Sequence, residues 1–239
     1  MIPAGGKARG VRAPFAMLGA ALIWLAAAGN ASCAELALPR VINLPAPGTY
    51  ALQRIQQVPE AILLDAAGKP APLSAYARGA VTALGFFYGH CADPLGCPVA
   101  WSTFEAVRKE AQSDPLLASR LRLVFVSLDP AHDTPATMRL LEAAEKGGTD
   151  APWSFLTGRS EQELAPLLRA MGQNIGYEIN EAGARTGAIN HMLKVFLIDP
   201  DGWVREIYST AFLTPESLLS DARTLAMAFP DASNHLRER

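Results

Sequence analysis

Cysteine is scarce in this chain of 239 residues: Cys33, Cys91 and Cys97 are the whole supply. Three thiols do not make the paired cysteine clusters of a structural zinc site. Charge of one sign is lacking too, since 21 Lys and Arg stand against 23 Asp and Glu, a formal net charge of −2. With a pI near 6.1 and no basic stretch interleaved with aromatics, nothing argues for nucleic acid. A Gly-rich phosphate loop, a catalytic triad, an internal repeat and a low-complexity segment are all absent. Past the N-terminal region, no stretch is apolar enough to span a membrane.

The N-terminus reads as a targeting segment. Lys7, Arg9 and Arg12 form a positive start, Phe15 to Gly29 is apolar and uncharged, and Ala31-Ser32-Cys33-Ala34 fits cleavage after Ala34. Residues 1–34 are therefore expected to be a signal peptide, with an uncleaved membrane anchor as the second choice because the run is short for a span. A lipid attached at Cys33 is disfavoured, since Asn30 stands where such a signal wants Leu. Cleavage would leave Cys91 and Cys97, an even pair that suits an oxidising compartment: the periplasm or the outer face of the cytoplasmic membrane. Residues 35–50 read as a tether or packed arm, 51–228 as one globular domain, and 229–239 as a loose tail.

The stretch that organises the domain is Phe86-Phe87-Tyr88-Gly89-His90-Cys91-Ala92-Asp93-Pro94-Leu95-Gly96-Cys97-Pro98. Val81 to Tyr88 reads as a buried strand, Gly89 stops it, and Pro98 opens a helix to about Gln112. Cys91 then lies off the carboxyl end of a strand, and Cys97 at or next to the helix N-cap. Helix N-terminal amides favour negative charge, so at least one thiol is expected to ionise more easily than a free cysteine. Thiolates attack disulfides and bind soft metals. The five residues between the sulfurs include Pro94 and Gly96, which break a helix and let a loop fold one sulfur toward the other. Redox chemistry, metal binding and a structural disulfide all remain open on these residues. The strand-end, helix-start position favours the functional readings over the staple.

Further along, Ile55 to Leu64 followed by Asp65-Ala66-Ala67-Gly68-Lys69 predicts an N-terminal hairpin. Leu121 to Leu128 and Leu193 to Ile198 read as core strands, and Trp153 to Leu156 as a short one. Helices are expected from Thr134-Pro135 to about Lys146, from Ser160 to near Met171, and from Thr214-Pro215 onward. Asp199-Pro200-Asp201-Gly202 is a tight turn into an antiparallel strand, Trp203 to Tyr208. Strands alternating with helices, then a closing hairpin and helix, predict an α/β thioredoxin-like fold: a mixed central sheet flanked by helices.

Three stretches together resemble the Sco/SenC copper-protein family. They are Phe87-Tyr88-Gly89-His90-Cys91-Ala92-Asp93 with Cys97-Pro98, then Val126 to Pro135, then Asn190-His191 with Phe196 to Gly202. The resemblance implies a thioredoxin-like domain that holds copper, as Cu(I), Cu(II) or both, through two cysteines and a distant histidine. By position these are Cys91, Cys97 and His191, with His191 expected on a loop before a core strand. It further implies a copper-site client, by default cytochrome c oxidase, and a thiol reductant protein as partners. A thioredoxin-type oxidoreductase would carry a proline near His191, and Ile189 to Leu193 has none. Two departures stand out. The family spaces its cysteines by three residues rather than five, and places Asp rather than Asn190 before the histidine, where a carboxylate would orient the ring.

Other candidates have plainer readings. His90 is expected to support the site without ligating, His132 to cap a turn, and Asp93 to form a turn or tune the thiols. Met192 offers a thioether but reads as packing. Two functions remain. One is an exported copper chaperone without turnover of its own. The other is a thiol–disulfide oxidoreductase in which Cys91 attacks and Cys97 resolves.

Overall fold

The computed structural model describes residues 44–145 and 152–230. The targeting segment, its cleavage site and most of the tail lie outside the described residues. Among the described residues, ten strands and five helices follow one another. They are β1 (Gln56–Gln57), β2 (Ile62–Leu64), β3 (Pro70–Pro72), α1 (Ser74–Ala77), β4 (Val81–Phe87) and α2 (Cys97–Ser113), then β5 (Leu121–Ser127), α3 (Pro135–Glu145), β6 (Trp153–Leu156) and α4 (Glu161–Ala170). The last described elements are β7 (Ile175–Ile179), β8 (Arg185–His191), β9 (Lys194–Ile198), β10 (Trp203–Ser209) and α5 (Pro215–Ala228).

Six strands form one mixed sheet in the order β1-β10-β9-β4-β5-β6. β4, β5 and β6 run parallel, while β9 pairs antiparallel with β4 and β10 with β9. Central β4 is buried at every position, which is why its sequence is a continuous apolar run rather than an alternation. This is the thioredoxin-like arrangement that the strand and helix pattern predicts.

Alternate residues of β4 serve opposite faces. Phe87 packs with Phe125, Phe155 and, from α2, Trp101, at ring separations of 5.2 to 6.0 Å. Phe86, facing the other way, meets Phe196 of β9 edge-on at 6.1 Å. Each fully buried aromatic contributes about 1.5–3 kcal/mol by area alone, so β4 is anchored from both sides up to the residue before the cysteine loop. No space remains for a side chain at Gly85, where a Cβ would come within 2.6 Å of Phe125.

The turn after β9 is built as its sequence suggests. Asp199 is fully buried, accepts from the backbone N–H groups of Asp201 and Trp203, and binds Arg205 Nη1 at 2.6 Å. The expected hairpin is β2–β3, closed over Asp65 to Lys69. The described part of the N-terminal arm packs on α5: Tyr50 Oη donates to Asp221 at 2.5 Å, and Gly48 N–H to Thr224 Oγ1 at 3.0 Å.

One element departs from the sequence reading. Residues 175–191 form a hairpin, β7–β8, as a separate two-stranded sheet. His191 is the last residue of β8, opposite Ile175, and is not on a loop as expected. Among the described residues, no helix is long and apolar enough to cross a membrane.

Candidate metal centre

The cysteine loop is a series of tight turns. Cys91 N–H donates to the Tyr88 carbonyl at 3.2 Å, and Gly96 N–H to the Asp93 carbonyl at 3.1 Å. Asp93 Oδ1 also accepts from Leu95 N–H at 2.9 Å, the turn-forming role expected of it. Gly96 takes the N-cap position of α2, with Cys97 the first helical residue and Pro98 behind it. These turns lay Cys91 back over the start of the helix.

His191 reaches the same point from β8. One ligand atom from each of Cys91, Cys97 and His191 lies within 4.8 Å of the other two. The Cys97 Sγ to His191 Nε2 distance is 3.8 Å. With bonds of about 2.3 Å to sulfur and 2.0 Å to nitrogen, a trigonal ion separates those two atoms by roughly 3.7 Å. The donor set and the Cys97–His191 spacing therefore suit one soft cation.

Tyr88 braces the imidazole: its ring lies 6.0 Å from that of His191, and Ile189 N–H donates to its hydroxyl at 3.4 Å. Cys97 is buried, whereas Cys91 and His191 are half-buried. The last two line a cavity of about 640 Å³ that opens past His90, Asp93 and His132. Cys91 and His191 thus face the cavity, and Cys97 is buried outside its lining.

The expectation that at least one thiol ionises easily does not hold at Cys97, the thiol at the helix start. Burial pushes the Cys97 thiol up to about 12, with the hydrogen bond to Cys91 and its nearby charge adding to the effect. The helix N-terminus does not offset that loss of solvent. A cation must therefore displace the Cys97 proton to bind. Burial lowers the His191 value, partly offset by hydrogen bonding to the Met192 carbonyl and by the Asp93 charge, so the ring is kept neutral.

Other expectations divide. His90 is exposed at the cavity mouth, its ring 6.2 Å from that of His132. His132 binds Asp129 at 2.7 Å, consistent with a turn-capping role. Met192 is 65% exposed and does not pack in the core. Asn190 is exposed, and neighbours on a strand point to opposite faces, so it does not orient His191.

Two contributors escaped the sequence reading. Asp133, 1% exposed, accepts from Gly89 N–H at 2.9 Å and from the Ser127 hydroxyl at 2.6 Å, tying the end of β4 to the end of β5. Gln173, 2% exposed, lies 3.1 Å from His191 Nδ1. Asp133 sits in the quoted Val126 to Pro135 stretch, which marks it; Gln173 has no local signal.

Comparison with known proteins agrees with this geometry. The sequence profile of the SCO1/SenC family matches residues 59–227. A protein of Stutzerimonas stutzeri named "Putative copper-binding protein" is 27% identical over 173 residues, covering 72% of this chain and 78% of its own. The copper-bound crystal structure of Arabidopsis thaliana ScoI superposes with a TM-score of 0.60 at 20% identity, over 72% of this chain and 99% of that one. Copper-bound Bradyrhizobium japonicum ScoI does so with a TM-score of 0.57 at 24% identity, over 71% and 99%. The chain belongs to the SCO1/SenC family.

Proposed function

We propose that this is an exported copper-binding protein that holds one copper ion on Cys91, Cys97 and His191 and passes it to the copper site of a client. Cytochrome c oxidase is the client that the family resemblance implies. The observation carrying this reading is the convergence of three ligand atoms within 4.8 Å of one another, two sulfurs and one imidazole nitrogen. Such a set suits Cu(I) and also accepts Cu(II). Relatives of the same fold with copper bound support it. Cys91 and His191, half-buried and lining the cavity, give a client ligand a point of entry, while the buried Cys97 holds on from within.

A second reading has its own observation, the closeness of the two sulfurs. As a thiol–disulfide oxidoreductase, Cys91 attacks a client disulfide, and Cys97 then closes the intramolecular bond. The client leaves reduced, and a thiol reductant protein restores the pair. The two activities share residues and can coexist.

His191 separates them. Replacing His191 with Ala should abolish tight Cu(I) binding, measured by competition with a chromophoric chelator, and leave disulfide exchange with a model disulfide within a few-fold of wild type. Unchanged copper affinity would remove His191 from the site and leave the redox reading.

A further inference from the structure

Histidine is rare in this chain, four in 239 residues, yet three of the four, His90, His132 and His191, line the same cavity. His191 belongs to the Cys–Cys–His set. The other two stand together at the mouth, both exposed, with ring centres 6.2 Å apart. Two imidazoles on opposite sides of one ion, each bound at about 2.0 Å, set their ring centres roughly 6 Å apart. Exposed side chains turn quickly, so the two nitrogens can come face to face without disturbing the core. His132 is already oriented for this. Its Nδ1 lies 2.7 Å from Asp129 Oδ2. A carboxylate only accepts, so Nδ1 donates and Nε2 is the ring nitrogen left for an ion. A carboxylate on the second nitrogen is the common outer partner of a metal-bound histidine. Asp129 is 8% exposed, so the fold holds that partner in place. The charge of the cavity has the right sign as well. Asp93, Asp129 and Glu178 line it, and among the described residues no Lys or Arg does, so cations concentrate there.

We infer that His90 and His132 form a second, weaker copper site at the cavity mouth, where Cu(I) is held before it passes to Cys91, the residue next to His90. Imidazole binds copper, but soft thiolates select Cu(I) more strongly, so the ion moves inward. No electron moves in this step. The ion exchanges two imidazole nitrogens for Cys91, Cys97 and His191, and the displaced thiol protons go to water. The passage inward rests on the Cys–Cys–His reading proposed above, whereas the mouth site stands on its own two residues.

The test is a Cu(I) titration of the reduced full chain against chromophoric chelators of graded strength. The wild type should bind two ions, one tightly and a second that a weaker chelator removes. His90→Ala and His132→Ala should each lose the second ion with circular dichroism preserved. His132→Ala should keep the first affinity unchanged, yet fill that site several-fold more slowly in stopped-flow loading. A single copper in the wild type, or a second one that survives both substitutions, would overturn the mouth site and leave the thiolate centre standing. Equal loading rates in wild type and His132→Ala would overturn the entry role. With Cys91→Ser and Cys97→Ser combined, the weak copper should remain and should still be lost on adding His132→Ala. Its disappearance with the thiols would overturn the inference. A wild type that binds only the weak, His132-dependent copper would support the mouth site and overturn the Cys–Cys–His reading.

Discussion

Asp133 and Gly89 are 44 positions apart, yet the backbone N–H of Gly89 donates to Asp133 Oδ2 at 2.9 Å, two residues before Cys91. The same oxygen accepts from Ser127, so one carboxyl group fixes where the strand ends and the cysteine loop begins. Removing it in Asp133→Ala takes the acceptor from the buried Ser127 hydroxyl, at about 1–3 kcal/mol, and from the exposed Gly89 N–H, which water can satisfy. We expect the melting temperature of the domain to fall by roughly 2–12 °C, together with weaker copper binding, by calorimetry and chelator competition.

Gly89 should be intolerant for the complementary reason. A Cβ there would come within 2.6 Å of Asp133 Oδ1. Gly89→Ala should therefore lower both stability and copper affinity. In the Asp133→Ala background the added methyl meets no carboxyl oxygen, so the further loss from Gly89→Ala should be smaller than in the wild type. Additive losses in this double-mutant cycle would show that the two residues act independently.

The two thiols should react unequally. Cys97 is 6% exposed, and its thiol is pushed up to about 12. At pH 8 that leaves on the order of one thiolate in ten thousand, rising about tenfold per pH unit. Iodoacetamide should label the half-buried Cys91 first in reduced, metal-free protein, by peptide mass spectrometry. Faster labelling of Cys97 would contradict the burial argument.

A pH dependence is expected far from the site. Arg223 Nε of α5 meets Asp114 Oδ2, just past α2, at 2.6 Å. Burial alone would raise the Asp114 value. The Arg223 hydrogen bond and charge, with the N–H groups of Leu116 and Leu117, outweigh it and hold the carboxyl below its ordinary 3.8. The folded value lies below the unfolded one, so this stabilisation is present above the unfolded value and is lost as pH falls through the folded one. Denaturant midpoints should favour wild type over Asp114→Asn at pH 6, with the difference shrinking below pH 3.8. A difference independent of pH would exclude the ion pair as its cause.

Much of the fold is legible because it is written locally. β4, β5 and β9 are continuous apolar runs closed by Gly or Asp-Pro, and the helices carry Ser, Thr or Pro at their starts. Cys91 and Cys97 announce themselves by position, and His191 by its stretch of sequence. The β7–β8 hairpin is less plain, because most of its residues are exposed and the alternation of Ile175, Tyr177 and Ile179 in β7 is not matched in β8; its turn rests on Asn180, which binds the N–H groups of Ala182 and Ala184. Gln173 and the upward shift of Cys97 are products of burial, a tertiary property that neither residue's neighbours encode. Met192 misled for the same reason, since standing beside a core strand does not place a side chain in the core.

X-ray absorption at the copper edge of the reduced, copper-loaded protein tests the central claim most directly. Two sulfur scatterers and one imidazole nitrogen, with one sulfur lost in each of Cys91→Ser and Cys97→Ser and the imidazole lost in His191→Ala, is the predicted result. A first shell of nitrogen and oxygen alone, or one unchanged by these substitutions, would place copper elsewhere and contradict the account.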